Sequence, residues 1–149
     1  MRRPLLFAFV LLLACQGHGA DDALLLSDAW IRETPPGRDV AAGYLTITNP
    51  SETDHLLLGA QSPDARVEVH EMRHEDGMMR MRRLESLTIP AGEAVALAPG
   101  ATHLMLFGVD ATRAGREIEI EFRFEHGAAI TETFVVRRPA AMQPAGAHK

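Results

Sequence analysis

Turn formers dominate the reading of this chain. Between Leu24 and Val136 a turn-forming cluster recurs about every ten residues. The clusters are Thr34-Pro35-Pro36-Gly37, Asn49-Pro50-Ser51, Ser62-Pro63-Asp64, Glu75-Asp76-Gly77, Pro90-Ala91-Gly92, Pro99-Gly100 and His126-Gly127. Proline fixes φ and glycine tolerates positive φ, so each cluster ends the element before it. No run of twelve or more residues keeps helical periodicity free of these breakers. The runs between them read as short strands: 24–32, 42–48, 56–60, 66–72, 78–84, 94–97, 103–109, 117–124 and 130–136. Alternation is clearest from Glu117 to Phe124, where Ile118, Ile120, Phe122 and Phe124 take one side and charges the other. Nine short strands at this spacing predict an all-β antiparallel sandwich or barrel.

The ends of the chain read differently. Met1-Arg2-Arg3 precedes an apolar run from Leu5 to Ala14, too short for a permanent membrane span and without a polar face. Residues 1–20 are therefore expected to be a secretory signal peptide. Leu12-Leu13-Ala14-Cys15 resembles a bacterial lipobox, which would make Cys15 the lipidated first residue of the mature chain; cleavage near Gly19 or Ala20 is the rival. Residues 21–138 form the expected single domain, and 139–149, mostly Ala, Pro and Gly, the expected flexible tail. An exported chain works in a periplasmic setting, either soluble or held by a lipid at Cys15.

Composition removes several functions. Fifteen basic against twenty acidic side chains give −5, and removal of Arg2 and Arg3 leaves 13 against 20, a net −7. A nucleic-acid partner is not expected of such a surface. One cysteine excludes a disulfide framework, a Cys-only zinc site and a CxxC redox pair. It also leaves the strands without the thiolate that a blue-copper electron-transfer site needs. Ser51, Ser62 and Ser86 lie in turns with no nucleophile-elbow context, so an enzyme is not expected.

Chemistry-bearing residues concentrate between His70 and Met105: His70, Met72, His74, Met78, Met79, Met81, His103 and Met105. A hairpin looping through His74-Glu75-Asp76-Gly77 would set His70 directly opposite Met81. A different turn centre would set Met72 opposite Met81 and leave His70 a diagonal neighbour. Either register keeps His70 and Met81 on one face. His103 and Met105, two apart on a strand, also share a face. Two imidazoles with two thioethers make a soft donor set that suits Cu(I) rather than hard cations or zinc. Taken singly, a methionine is more often core filler than ligand, and a lone strand histidine is usually solvated. Met72, Met78 and Met79 fit core or rim, His74 fits a solvated loop, and His55 and His126 flank turns.

The joint spacing is distinctive: His70, ten residues, Met81, twenty-one residues, His103, one residue, Met105. With Ala29-Trp30-Ile31-Arg32-Glu33-Thr34-Pro35-Pro36-Gly37, Ala41-Ala42-Gly43-Tyr44-Leu45-Thr46-Ile47-Thr48-Asn49, Val69-His70-Glu71-Met72, Ile89-Pro90-Ala91-Gly92 and Pro99-Gly100-Ala101-Thr102-His103-Leu104-Met105-Leu106, it resembles the periplasmic copper chaperone family PCu(A)C. That resemblance implies a cupredoxin-like Greek-key β-barrel binding one Cu(I) through His70, Met81, His103 and Met105, with Met72 as an auxiliary donor. It also implies a copper-accepting partner, either a cytochrome oxidase subunit or a thioredoxin-like copper carrier. Some members carry a His/Met-rich C-terminal extension. Here the tail offers only Met142 and His148, too sparse for a second site. The rival expectation is an extracytoplasmic β-sandwich for ligand binding or adhesion, with the His/Met set incidental.

Overall fold

The computed structural model describes residues 23–109 and 113–138. The expected export segment with Cys15, and the expected tail with Met142 and His148, lie outside the described residues. Ten strands follow in chain order. They are β1 Leu25–Arg32, β2 Val40–Thr48, β3 His55–Gln61, β4 Arg66–Glu75, β5 Met78–Arg83, β6 Leu87–Ile89, β7 Ala94–Leu97, β8 His103–Phe107, β9 Glu117–Phe124 and β10 Ile130–Arg137. All nine expected strands are present, with ends that differ by at most three residues. The short β6, stopped by Pro90, is the tenth. Among the described residues no helix is long and apolar enough to cross a membrane.

The strands pair in the order β5-β4-β8-β2-β1-β10-β9-β3-β6, with β7 added to β2. The chain crosses repeatedly between the two halves of this order, and β3 packs back against β4, so the sheet curls around one core. This is the all-β, cupredoxin-like barrel that the resemblance implies. Pairing is antiparallel except between β1 and β10, which run parallel through Trp30↔Val135 and Ile31↔Val136.

Strict alternation decides what reaches the core. Val67 and Val69 of β4 and Leu104 and Leu106 of β8 point inward with Ile31, Leu45, Ile118, Ile120, Phe122 and Phe134. Phe122 and Phe134 stack with ring centroids 6.1 Å apart; cutting either back to alanine would cost about 3–5 kcal/mol. Because side chains alternate along a strand, burying 67, 69, 104 and 106 sends Glu68, His70, His103 and Met105 to the opposite, outer face. The core therefore positions the outer face.

A polar pair, Asn49 with Ser51, is built into the interior. Asn49 is fully buried after β2. Its Nδ2 donates to the carbonyls of Thr53 at 2.8 Å, Ile89 at 3.0 Å and Pro90 at 3.1 Å. Its Oδ1 accepts from the Ser51 N–H at 3.0 Å and the Ser51 hydroxyl at 2.7 Å. A single side chain thus ties the β2–β3 turn to the end of β6 and satisfies backbone groups that the sheet leaves unpaired.

Candidate metal centre

The outer face of β5, β4 and β8 carries the four singled-out residues. On β4 and β8, His70 and His103 are direct cross-strand partners, with ring centroids 6.4 Å apart and planes inclined by 35°. Met105 follows His103 by two residues, shares its face, and lies opposite Glu68. On β5, Met81 lies opposite Met72, two residues along β4 from His70 and on the same face. The hairpin therefore takes the second of the two registers, with His70 diagonal to Met81. Its turn is the two-residue Asp76-Gly77, with φ of 52° and 76°. Asp-Gly tolerates two positive φ angles and matches the twist of the flanking strands. As a result β4 extends to Glu75, and His74 sits on a strand rather than in a loop, correcting the expectation from the sequence.

Hydrogen bonds fix the tautomer of both histidines. His70 Nε2 lies 2.8 Å from Glu68 Oε2. Glu68 is half-buried, and its carboxyl is held below the usual glutamate range. The His70 hydrogen bond is the main cause, the Arg66 and Arg83 guanidiniums add to it, and burial works against it. An ionised carboxylate only accepts, so Nε2 carries the proton and Nδ1 keeps its lone pair. That Nδ1 is buried without a hydrogen-bond partner. His103 Nδ1 lies 2.9 Å from the Ala101 carbonyl, which also only accepts. The lone pair of His103 is therefore on Nε2. In the neutral form of each ring the lone pair thus lies on the nitrogen opposite the tethered one.

The surroundings close one side of this group. Tyr44 is buried 6.5 Å from the His103 ring, and Trp30 lies 4.6 Å from Tyr44, its cross-strand partner. Burial pushes the Tyr44 hydroxyl above its ordinary value, with Arg32 opposing. Phe107 lies 6.3 Å from His70, and the Arg66 guanidinium covers its ring at 4.3 Å. His103 is only 6% exposed, whereas Met81, on the edge strand, is 48% exposed. The histidines are thus sheltered by aromatic rings toward β1 and β2, and the methionine side toward β5 is open.

A buried imidazole nitrogen with no partner fits a metal donor, because ligating histidines usually donate their other N–H to a carboxylate or carbonyl. Among the described residues no three histidine, cysteine or acidic side chains converge as a metal-holding group. The nearby donors available to complete a set are therefore the thioethers of Met81, Met105 and Met72. That combination is soft and matches Cu(I). Glu68 and the Ala101 carbonyl are the functional groups that sequence reasoning missed. The alternation Glu68-Val69-His70 places the carboxylate on the histidine's face, but its contact becomes visible only in three dimensions.

Comparisons with known proteins bear on the family and the fold. The profile of the LpqE-like family matches residues 24–136. A protein of Leifsonia xyli subsp. xyli (strain CTCB07), Lxx21020, named as a lipoprotein, is 33% identical over 110 residues. The match covers 72% of this chain and 65% of that one, so the chain spans less than two thirds of its relative. The solution structure of CuI-DR1885 from Deinococcus radiodurans superposes with a TM-score of 0.64 at 28% identity, covering 83% of this chain and 85% of that one. The copper-bound PCuAC domain from PmoF2 gives a TM-score of 0.64 at 24% identity, covering 78% and 93%. The chain belongs to the LpqE-like family, and its domain is of the PCuAC kind that its His/Met spacing resembles.

Proposed function

We propose that this protein is an extracytoplasmic copper carrier that binds one Cu(I) through His70 Nδ1, His103 Nε2 and the thioethers of Met81 and Met105, with Met72 in reserve. The observation that carries this reading is the tethered histidine pair: Glu68 and the Ala101 carbonyl each hold one ring nitrogen, and the opposite nitrogen of His70 is buried without a hydrogen-bond partner. The copper named in the descriptions of the DR1885 and PmoF2 structures supports the same metal. The lipoprotein name of the Leifsonia xyli relative supports a place outside the cytoplasm, in keeping with the basic and apolar start of the chain.

Carriage requires release, and the layout suits it. Neutral imidazole and thioether donors can be replaced one at a time by a partner's ligands, without chemistry on the protein. Met81 is the donor most open to solvent, so a copper-accepting protein would reach the ion from the β5 edge and displace Met81 first. The recipients that fit are a cytochrome oxidase subunit or a thioredoxin-like copper carrier. Anaerobic competition against a chromogenic Cu(I) chelator tests the reading. Wild-type protein should remove one equivalent of Cu(I), and His103→Ala should lose most of that affinity. Protein that takes up no Cu(I) would leave the incidental-ligand alternative standing.

A further inference from the structure

The tip of the β4–β5 hairpin carries another imidazole–thioether pair outside the four-donor set. His74 and Met79 are direct cross-strand partners, and His74 Nδ1 lies 3.1 Å from Met79 Sδ. Both are exposed, Met79 at 53%. Neither side chain covers core, so burial explains neither. A ring N–H directed at a thioether is only a weak hydrogen bond.

Their placement is more telling than the contact. Alternation puts His74, Met72 and His70 in one row on β4 and Met79 and Met81 in one row on β5, all on the same face. On the reverse face Glu71 pairs with Arg73, and Glu75 lies near Arg80 and Arg82; on the donor face the charges, Arg66, Glu68 and Arg83, gather at the inner end beyond His70 and pair with one another, away from the tip. Soft donors thus form a continuous track from the exposed tip, His74 with Met79, through Met72 with Met81, to His70 with His103. A metal holding nitrogen and sulfur at about 2.0 and 2.3 Å would set them roughly 3.3–4.3 Å apart. The His74–Met79 pair needs little movement to reach that spacing, and the tight Asp76-Gly77 turn holds its register.

We propose that His74 and Met79 form a second, solvent-facing site for a monovalent soft ion, where Cu(I) docks before it passes along Met72 and Met81 to the inner histidines. The inference rests on the copper-carrier reading above. Copper stays Cu(I) throughout. Each step makes one dative bond to nitrogen or sulfur and breaks one, and the His74 ring proton resides on Nε2 while Nδ1 binds. Two donors hold the ion weakly, which suits a landing place and not a store.

The experiment uses the full chain and two readouts. In stopped-flow transfer from a Cu(I)–bicinchoninate complex, the double variant His74→Asn, Met79→Leu should keep the wild-type equilibrium affinity and take up copper about tenfold more slowly. Met78→Leu, equally exposed but on the reverse face, should match wild type. In His103→Ala protein carrying 13C-methyl methionine, Ag(I) should shift the Met79 methyl resonance. Uptake by the double variant at the wild-type rate, equal slowing by Met78→Leu, or a Met79 methyl unmoved by Ag(I) would each overturn the proposal. Wild-type protein that binds no Cu(I) would overturn the carrier reading itself.

Discussion

The carboxylate of Glu68 accepts the Nε2–H of His70 at 2.8 Å, and this one contact decides which nitrogen of His70 faces outward from the tether. Because β4 sets Glu68 opposite Met105 and His70 opposite His103, the carboxylate sits inside the donor group without being one of the soft donors.

Replacing Glu68 by Gln should therefore weaken Cu(I) binding although no proposed ligand is removed. The amide can donate as well as accept, so the His70 tautomer is no longer enforced. Loss of such an outer partner typically costs about 10–100-fold in metal affinity. Chelator competition on Glu68→Gln measures it, and an unchanged affinity would show that His70 needs no orienting partner.

The same residue gives a signature in the metal-free protein. The folded-state pKa of Glu68 lies below the ordinary value of about 4.3. A depressed carboxyl stabilises the fold at pH above the unfolded value, and that contribution is lost as pH falls through the folded value. Urea unfolding of wild type and Glu68→Gln should differ most near neutrality and converge in acid below about pH 4. A gap that stays constant down to low pH would contradict the lowered pKa.

Asn49 should matter to stability and not to metal. Asn49→Ala leaves the buried Ser51 N–H and the Ile89 carbonyl without their side-chain partner. The cost should be about 2–3 kcal/mol in urea unfolding, with little effect on Cu(I) affinity in the folded protein. A midpoint equal to wild type would mean that the turn finds other partners.

How far the sequence carries the reading depends on distance along the chain. The strands were legible because Pro and Gly clusters stop them and because alternation such as Ile118, Ile120, Phe122, Phe124 marks the buried face. His103 and Met105 were legible as a pair because they are two apart on one strand. The β6 strand was not, since three residues before Pro90 show no period. The hairpin was legible only as two registers; the Asp76-Gly77 signal for a two-residue turn chose between them once φ was known. The contacts that tether the histidines were hidden for different reasons. The Glu68 carboxylate is one of twenty acidic side chains in the sequence, and the Ala101 carbonyl is a backbone group that no side-chain pattern reports. The parallel β1–β10 pair joins segments a hundred residues apart, beyond the reach of any local rule.

X-ray absorption at the copper edge of the Cu(I)-loaded protein counts the donors themselves. Two nitrogen and two sulfur neighbours on one copper are expected, with one sulfur lost on Met81→Leu. A shell of nitrogen or oxygen alone, or a spectrum that Met81→Leu and Met105→Leu leave unchanged, would contradict a thioether–imidazole copper site.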